Sequence, residues 1–308
     1  MLANFFGKSK PVNFIIIGGL FIVYSVLFLV TQDFEPINIA FLVKEVAVLL
    51  LFLVLFFLYN FVVLKNKLTR DDSYAFLLFV IGLGIIYNQF FDYKDVCVHI
   101  FLLLMLRKVY SLRSMQFVYL KLFDSGIWLG VLFLIEPFSV LFFLMIYLAI
   151  VLFLKITIRT ILIPILGFSI PVFLYFTYCY YNDQLIDFER LFEFTTSYDL
   201  SYYNTTFYIS TGILFLVFTL YSILSRAKEV FSVNNKFKRS WVLLLFHLFI
   251  AIVFLILLKK RNGTELITIL IPATIIIANW LHFIKKKIIV TIVIFLFLSY
   301  SFVIRFIA

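Results

Sequence analysis

Charge is scarce in this chain. Only 14% of its 308 residues are Asp, Glu, Lys or Arg, against about 25% in a soluble domain. A soluble protein needs a polar shell, and single cores stop growing near about 250–300 residues, so a water-soluble globule of this composition is excluded. Histidine is scarcer still. The three, His99, His247 and His282, lie on three separate apolar segments; they read as hydrogen-bonded packing residues, and one copy cannot build an iron centre that needs four. The two cysteines, Cys97 and Cys179, sit inside apolar runs and read as small buried hydrophobes rather than as a disulfide or metal pair. The patterns G-x-x-x-x-G-K-[ST], H-E-x-x-H, G-x-S-x-G and C-x-x-C are all missing, and the residues name no cofactor. There is no linker or low-complexity tract, so residues 1–308 read as a single transmembrane helical domain.

What is present is apolar. Hydrophobic residues make up 65% of the chain, with 42 Phe and 18 Tyr. Only helices and closed barrels span a bilayer, because every backbone N–H and C=O must be paired internally. Barrel strands alternate apolar and polar residues over roughly ten positions. The runs here are continuous and long enough for helices to cross about 30 Å of hydrocarbon. Eleven are marked: Val12–Thr31, Val46–Leu64, Tyr74–Phe91, Val96–Leu112, Met115–Ile135, Phe138–Leu154, Thr160–Tyr180, Thr205–Leu224, Trp241–Leu258, Glu265–Phe283 and Ile288–Phe306. Lys8 and Lys10 before the first run imitate a signal peptide. That run ends in Thr31-Gln32-Asp33 without a small-x-small cleavage site, and reads as an uncleaved first helix. The expected fold is all-α: a polytopic bundle of about eleven transmembrane helices, with ten and twelve as the alternatives.

Basic residues set the orientation. With the N-terminus cytoplasmic, 18 of the 26 Lys and Arg fall inside, among them Lys65, Arg70, Arg107, Arg159, Arg226 and Lys285 to Lys287. That bias follows the positive-inside rule and places the chain in the inner membrane as a multi-pass protein, C-terminus outside. The net charge of +10 then faces anionic membrane lipid and argues for no nucleic-acid partner. In the fifth segment Lys121 and Asp124 stand three apart, where they can pair on one face. An interfacial helix to Phe123 followed by a recessed helix from Ser125 is the alternative there. Gly126 and Gly130 form a small-x-x-x-small step that lets another helix approach closely.

The charges expected outside are fewer and more informative. Asp33 and Glu35 follow the first helix in a short loop closed by Lys44-Glu45. Carboxylates in such a place can act as a general base or bind a divalent metal; they can also simply keep the connection solvated. Lys259, Lys260 and Arg261 put three consecutive cations outside, against the orientation rule. Such donors are how proteins hold phosphate, although a topology fixed by neighbouring helices tolerates them. The long loop Asn182–Asn204 holds Leu185, Phe188, Leu191 and Phe192 at helical spacing, which suggests a short amphipathic helix on the outer leaflet. Its tyrosines, Tyr180, Tyr181, Tyr198, Tyr202 and Tyr203, suit an interfacial belt or stacking on a sugar.

Two stretches carry a resemblance. Lys121 to Pro137, with Gly126, Gly130 and Glu136-Pro137, resembles a Gly-x-x-x-Gly helix, loop and helix segment of polyprenyl-phosphate-dependent GT-C glycosyltransferases. Lys260 to Pro272 is similar to a basic residue and Leu-Pro-type helix late in those enzymes. The resemblance implies a reduced GT-C-like fold, in which Asp33 or Glu35 serves the catalytic site and Lys259, Lys260 and Arg261 bind the phosphate of a polyprenyl-phosphate-linked sugar. The first outer loop, about Thr31 to Glu45, is shorter than in that family. As a whole the Phe-, Ile- and Lys-rich sequence also resembles a family of polytopic inner-membrane proteins of Bacteroidota. Two functions follow as expectations: binding or transfer of a lipid-linked saccharide at the outer leaflet, or a non-catalytic subunit of an envelope secretion, motility or polymer-export assembly, with envelope protein partners. A transporter ranks third, because few ionisable residues lie mid-helix and no inverted repeat is visible.

Overall fold

A computed structural model of the chain describes residues 2–31, 39–87, 92–196, 198–232, 235–258 and 261–307. Its helices are α1 (Leu2–Phe6), α2 (Pro11–Thr31), α3 (Ile39–Lys65), α4 (Tyr74–Ile86), α5 (Tyr93–Ser111), α6 (Val118–Ile135), α7 (Phe143–Phe153), α8 (Ile158–Tyr181), α9 (Leu185–Arg190), α10 (Thr206–Ser232), α11 (Asn235–Leu257), α12 (Leu266–Phe283) and α13 (Lys287–Ile307). Each of the eleven apolar segments overlaps one of them: the third, Tyr74–Phe91, is helical over Tyr74–Ile86, with residues 88–91 outside the described ones, and the sixth passes through a 3₁₀ turn, Pro137–Phe142, that runs into α7. No strand occurs among the described residues.

Seven stretches are long and apolar enough to cross a membrane: Val43–Lys65, Val118–Ile135, Ile158–Tyr181, Thr206–Arg226, Phe237–Leu257, Leu266–Phe283 and Lys287–Ile304. Pro11–Leu27, Tyr74–Ile86 and Pro137–Phe153 are apolar but shorter, and α5 carries Lys94, Asp95, Arg107 and Lys108. The chain is a multi-pass helical membrane protein. Large apolar side chains face outward on these helices, as Ile15, Phe57, Phe173 and Leu224 do, where lipid rather than water suits them. Helix α3 begins at Ile39, so Lys44 and Glu45 belong to that helix, and the expectation that they close a loop is not met. The backbone there satisfies itself sooner by turning helical, which shortens the first connection further.

Contacts divide the chain into two compact units. One comprises Met1–Val96, Asp199–Ser232 and Arg261–Ala308, the other Cys97–Tyr198 and Val233–Lys260. In the first, α4 packs against α2, α3, α12 and α13, and α12 against α4 and α10. All thirteen residues of α4 are buried, so it meets side chains instead of lipid. Aromatics fill this core. The rings of Tyr59 and Phe79 stack at 4.0 Å, and Phe21 meets Phe56 edge-on at 4.9 Å. Tyrosines enter it by spending their one hydroxyl on a partner: Tyr59 with Thr274 at 2.7 Å and Tyr24 with Ser301 at 2.6 Å.

The second unit is built on a seam between α6 and α8. Gly126 and Gly130 bring the backbone of α6 against Pro164, Phe168 and Pro171, and Gly167 answers from α8 against Phe123. Positions 164, 167, 168 and 171 share one helical face, so both prolines of α8 point into the seam. This is the close approach the glycine spacing predicts. Helix α6 is continuous over Val118–Ile135, which removes the alternative of an interfacial and a recessed piece. The expected Lys121–Asp124 pair is not made. Asp124 takes Lys108 of α5 at 2.6 Å, while the Lys121 ammonium donates to the Ser111 carbonyl at 2.8 Å and to Ser114 Oγ at 2.7 Å. A long lysine reaches the helix end more readily than it bends onto its own face. The amphipathic segment forms α9, and Phe188 packs on Phe176 of α8 at 5.1 Å and on Phe192 at 5.3 Å.

A methyl group separates a tight seam from open space. Gly126→Ala would drive Cβ into the Pro164 carbonyl, whereas Gly18→Ala meets nothing within 4 Å. The first should lower the stability of the detergent-solubilised protein by about 1–3 kcal/mol, and the second should leave it unchanged or slightly raised. Denaturation midpoints of the two variants check this.

Candidate functional site

The expected acidic pair, Asp33 and Glu35, and two of the three expected cations, Lys259 and Lys260, lie outside the described residues, and so does the convergence of the two clusters. The third cation, Arg261, is described, and it belongs to a polar network in the turn that leads into α12. Asn262 Oδ1 accepts from the Thr264 N–H at 3.2 Å and from Thr264 Oγ1 at 2.6 Å. This fixes the turn through Gly263, whose φ of 86° suits a residue without Cβ. From the same side chain, Nδ2 donates to Asp95 Oδ2 at 2.9 Å in the first turn of α5. The turn therefore buries Glu265, only 5% exposed, at the start of α12.

A buried carboxylate must be hydrogen-bonded. Glu265 Oε1 accepts from the Tyr203 hydroxyl, and Oε2 from the Asn262 N–H at 3.4 Å. Burial, and then the adjacent carboxylate, push the Tyr203 phenol far above its ordinary value, so it stays a donor. The Arg261 guanidinium lies 5.7 Å from the Tyr203 ring centre, within cation–π range. Tyr202, Tyr203 and Tyr208 pack on one another at 5.3 Å, and a shallow depression of about 370 Å³ is lined by Leu200, Ser201, Tyr203 and Asn204. The loop tyrosines thus divide: Tyr202 and Tyr203 are built into this cluster, while Tyr180, Tyr181 and Tyr198 are exposed. The arrangement places a cation, with its Nε and Nη1 buried, next to an aromatic ring that lines an open hollow, with its carboxylate already engaged.

A second charged cluster stands at the other end of α12, about 25 Å away at 1.5 Å per residue. Asp72, fully buried in the connection between α3 and α4, is 2.9 Å from His282 Nδ1 and accepts from the Tyr74 N–H at 3.2 Å. Next to it, the guanidinium groups of Arg70 and Arg226 lie 4.5 and 3.3 Å from the centre of the Phe283 ring. Asn279 ties the same end of α12 to the Leu68 carbonyl at 2.9 Å. The sequence reading missed this cluster, because its members are about 210 positions apart. The one local signal is a pair of acids, Asp71 and Asp72, following Lys65, Lys67 and Arg70 in the connection. Among the described residues no group of three His, Cys, Asp or Glu is placed to hold a metal ion.

Two outcomes follow. Tyr203→Phe deprives a buried carboxylate of its donor and should destabilise the protein by about 1–3 kcal/mol, read as a lower denaturation midpoint; no shift would show that Glu265 does not depend on Tyr203. At the other end, burial pushes the Asp72 carboxyl above its ordinary 3.8, against the His282 bond and charge and the Tyr74 N–H, which pull it down. The folded state then holds this proton more tightly than the unfolded chain. Asp72 therefore withdraws stability as pH rises from about 3.8 through its folded value. The midpoint of the wild type should fall more steeply than that of Asp72→Asn across this window, and parallel profiles would remove the effect.

No curated protein and no solved structure matches the chain. A family profile does, over residues 7–308. On a match of that extent the chain belongs to DUF6427, a family of unknown function.

Proposed function

We propose that this protein is an inner-membrane protein with eleven crossings and a cytoplasmic N-terminus, which binds the phosphate of a lipid-linked saccharide at the outer leaflet. The observation that carries the reading is the placement of Arg261. It follows Lys259 and Lys260 in the chain and stands over Tyr203, whose ring lines an open depression at the end of the helices. A guanidinium held on an aromatic face is partly desolvated and pre-oriented, which strengthens its bonds to phosphate, and tyrosines beside it suit a sugar ring. The crossing number is supported by the eleven of the thirteen described α-helices that overlap the apolar segments, and by bonds in the first unit that join Asp95, Tyr203, Asn262 and Glu265 at one end and Asp72 and His282 at the other. Those groups alternate as successive crossings require. The GT-C resemblance adds Asp33 or Glu35 as the group that activates an acceptor; Glu265, committed to Tyr203 and Asn262, is not a base.

A second reading is favoured by how completely the Asp95, Asn262, Glu265 and Tyr203 groups satisfy one another, as a structural joint would. In that reading the protein is a non-catalytic membrane subunit of an envelope assembly, and it should co-purify with partners under mild detergent.

Binding of a fluorescent polyprenyl-diphosphate-linked sugar to the full chain in nanodiscs separates the two. Neutralising Lys259, Lys260 and Arg261 to Gln should weaken binding by at least roughly 10-fold, the value of one charge-assisted hydrogen bond. Asp33→Asn should abolish transfer and leave binding intact. Equal binding by the neutralised variant would end the saccharide reading.

A further inference from the structure

At the end of α12 opposite Arg261, a cavity of about 310 Å³ is lined by Ala3, Asn4, Lys287, Ile288, Thr291 and Ile292. That is the lower end of small-ligand pockets, roughly 300–1,000 Å³. Its walls are α1 and the first turns of α13. The wall formed by α1 is fastened: the Tyr74 hydroxyl donates to the Ala3 carbonyl at 2.6 Å, the Ser73 N–H to the Phe6 carbonyl at 2.9 Å, and the Ala3 N–H reaches Thr291 Oγ1 at 3.4 Å. Asn4 and Thr291 make one side of the cavity polar. The other side is apolar and open outward, with Ile288 and Ile292 exposed to 75% and 58% one helical turn apart, and Phe295 extends the same stripe along α13.

Lys287 stands at the rim beside Lys285 and Lys286, all exposed. Among the described residues none of the three makes an ion pair. Helix stability does not account for them. Cations at the first turn oppose the helix dipole, and no acidic residue offsets them there. An orientation signal calls for positive charge at this end, but it calls for no cavity beside the charge and no apolar stripe leading away from it.

We propose that this groove binds the head group of an anionic phospholipid from the adjoining leaflet, with its phosphate at Lys287 and the two preceding lysines and an acyl chain along Ile288, Ile292 and Phe295. The apolar stripe is what selects a lipid over a soluble phosphate. This site is independent of the reading of Arg261.

The test uses the full chain, delipidated in a neutral detergent and offered phosphatidylglycerol, phosphatidylcholine or inorganic phosphate, with bound lipid counted by native mass spectrometry and the denaturation midpoint followed in parallel. Phosphatidylglycerol should be retained and raise the midpoint, and phosphatidylcholine should do neither. Replacing Lys285, Lys286 and Lys287 by Gln should lower the apparent affinity on the order of 100-fold, given the pull of an anionic surface on each lysine. Asn4→Trp fills the cavity without altering any charge, so it decides the matter if the lysine variant fails to insert; it should reduce phosphatidylglycerol retention several-fold. Equal retention of phosphatidylcholine, an equal midpoint rise with inorganic phosphate, or unchanged retention by folded Asn4→Trp would each overturn the proposal.

Discussion

Hydrocarbon offers no water to a backbone amide, and each amide left unpaired there costs several kcal/mol. The chain answers with helix through nearly all of its described length, and the same constraint then governs its side chains. A hydroxyl or ring nitrogen at depth gains by bringing a partner along. Tyr59 does so with Thr274, Tyr24 with Ser301 and Tyr110 with His247 at 3.0 Å, while Asn279 spends its amide on two carbonyls. With those bonds made, a tyrosine behaves as a large hydrophobe with one fixed tether. A core so rich in aromatics therefore keeps a single arrangement rather than sliding as a greasy bundle would.

Charge is displaced to the helix ends by the same cost, and α12 collects it at both. Thirteen of its residues are buried, so it is the least free of the long helices to move alone. Glu265 is pinned to Tyr203 at one end, and His282 to Asp72 at the other. Any slide of α12 along its axis strains both sets of bonds together. The two clusters are therefore mechanically joined although neither touches the other, and neither pair is a surface ion pair that could be lost cheaply. Removing Tyr203 or His282 leaves a buried carboxyl group short of a partner, which is the expensive case.

The sequence made the helices legible because an apolar run of that length has few other uses. It made the α6–α8 seam legible because Gly126 and Gly130 are four apart and so fall on one face. What it could not show is pairing across long separations. Asp72 reads as an ordinary solvated acid until His282 is beside it, and the sequence pairs Asp124 with Lys121 because a three-residue spacing is visible in it while Lys108, on another helix, is not. The same holds at the expected site. Arg261 stands out as part of a run of three consecutive cations, but Glu265 and Tyr203, which define its surroundings, carry no signal of their own. The ends of helices were also less legible than their middles: α3 starts at Ile39, ahead of Lys44 and Glu45, because charged residues at an interface can extend a helix into water as easily as end it.

Small residues show why position matters more than composition. Gly18 and Gly19 are neighbours, so they face directions about 100° apart and cannot form a stripe; around both there is open space. Gly82 and Gly84 lie two apart and face different neighbours, one receiving Leu270 of α12 and Phe215 of α10 and the other the ring of Tyr24 of α2. Only the pair four apart makes a continuous groove, and α8 fills it with Pro164, Phe168 and Pro171. Without a hydrophobic force between helices in lipid, close packing is what holds such a pair together. The second unit thus depends on the absence of side chains at three glycines, while the core of the first depends on aromatic mass. In a bilayer these are two independent ways to the same end, because either one brings enough surface into contact to outweigh contact with lipid.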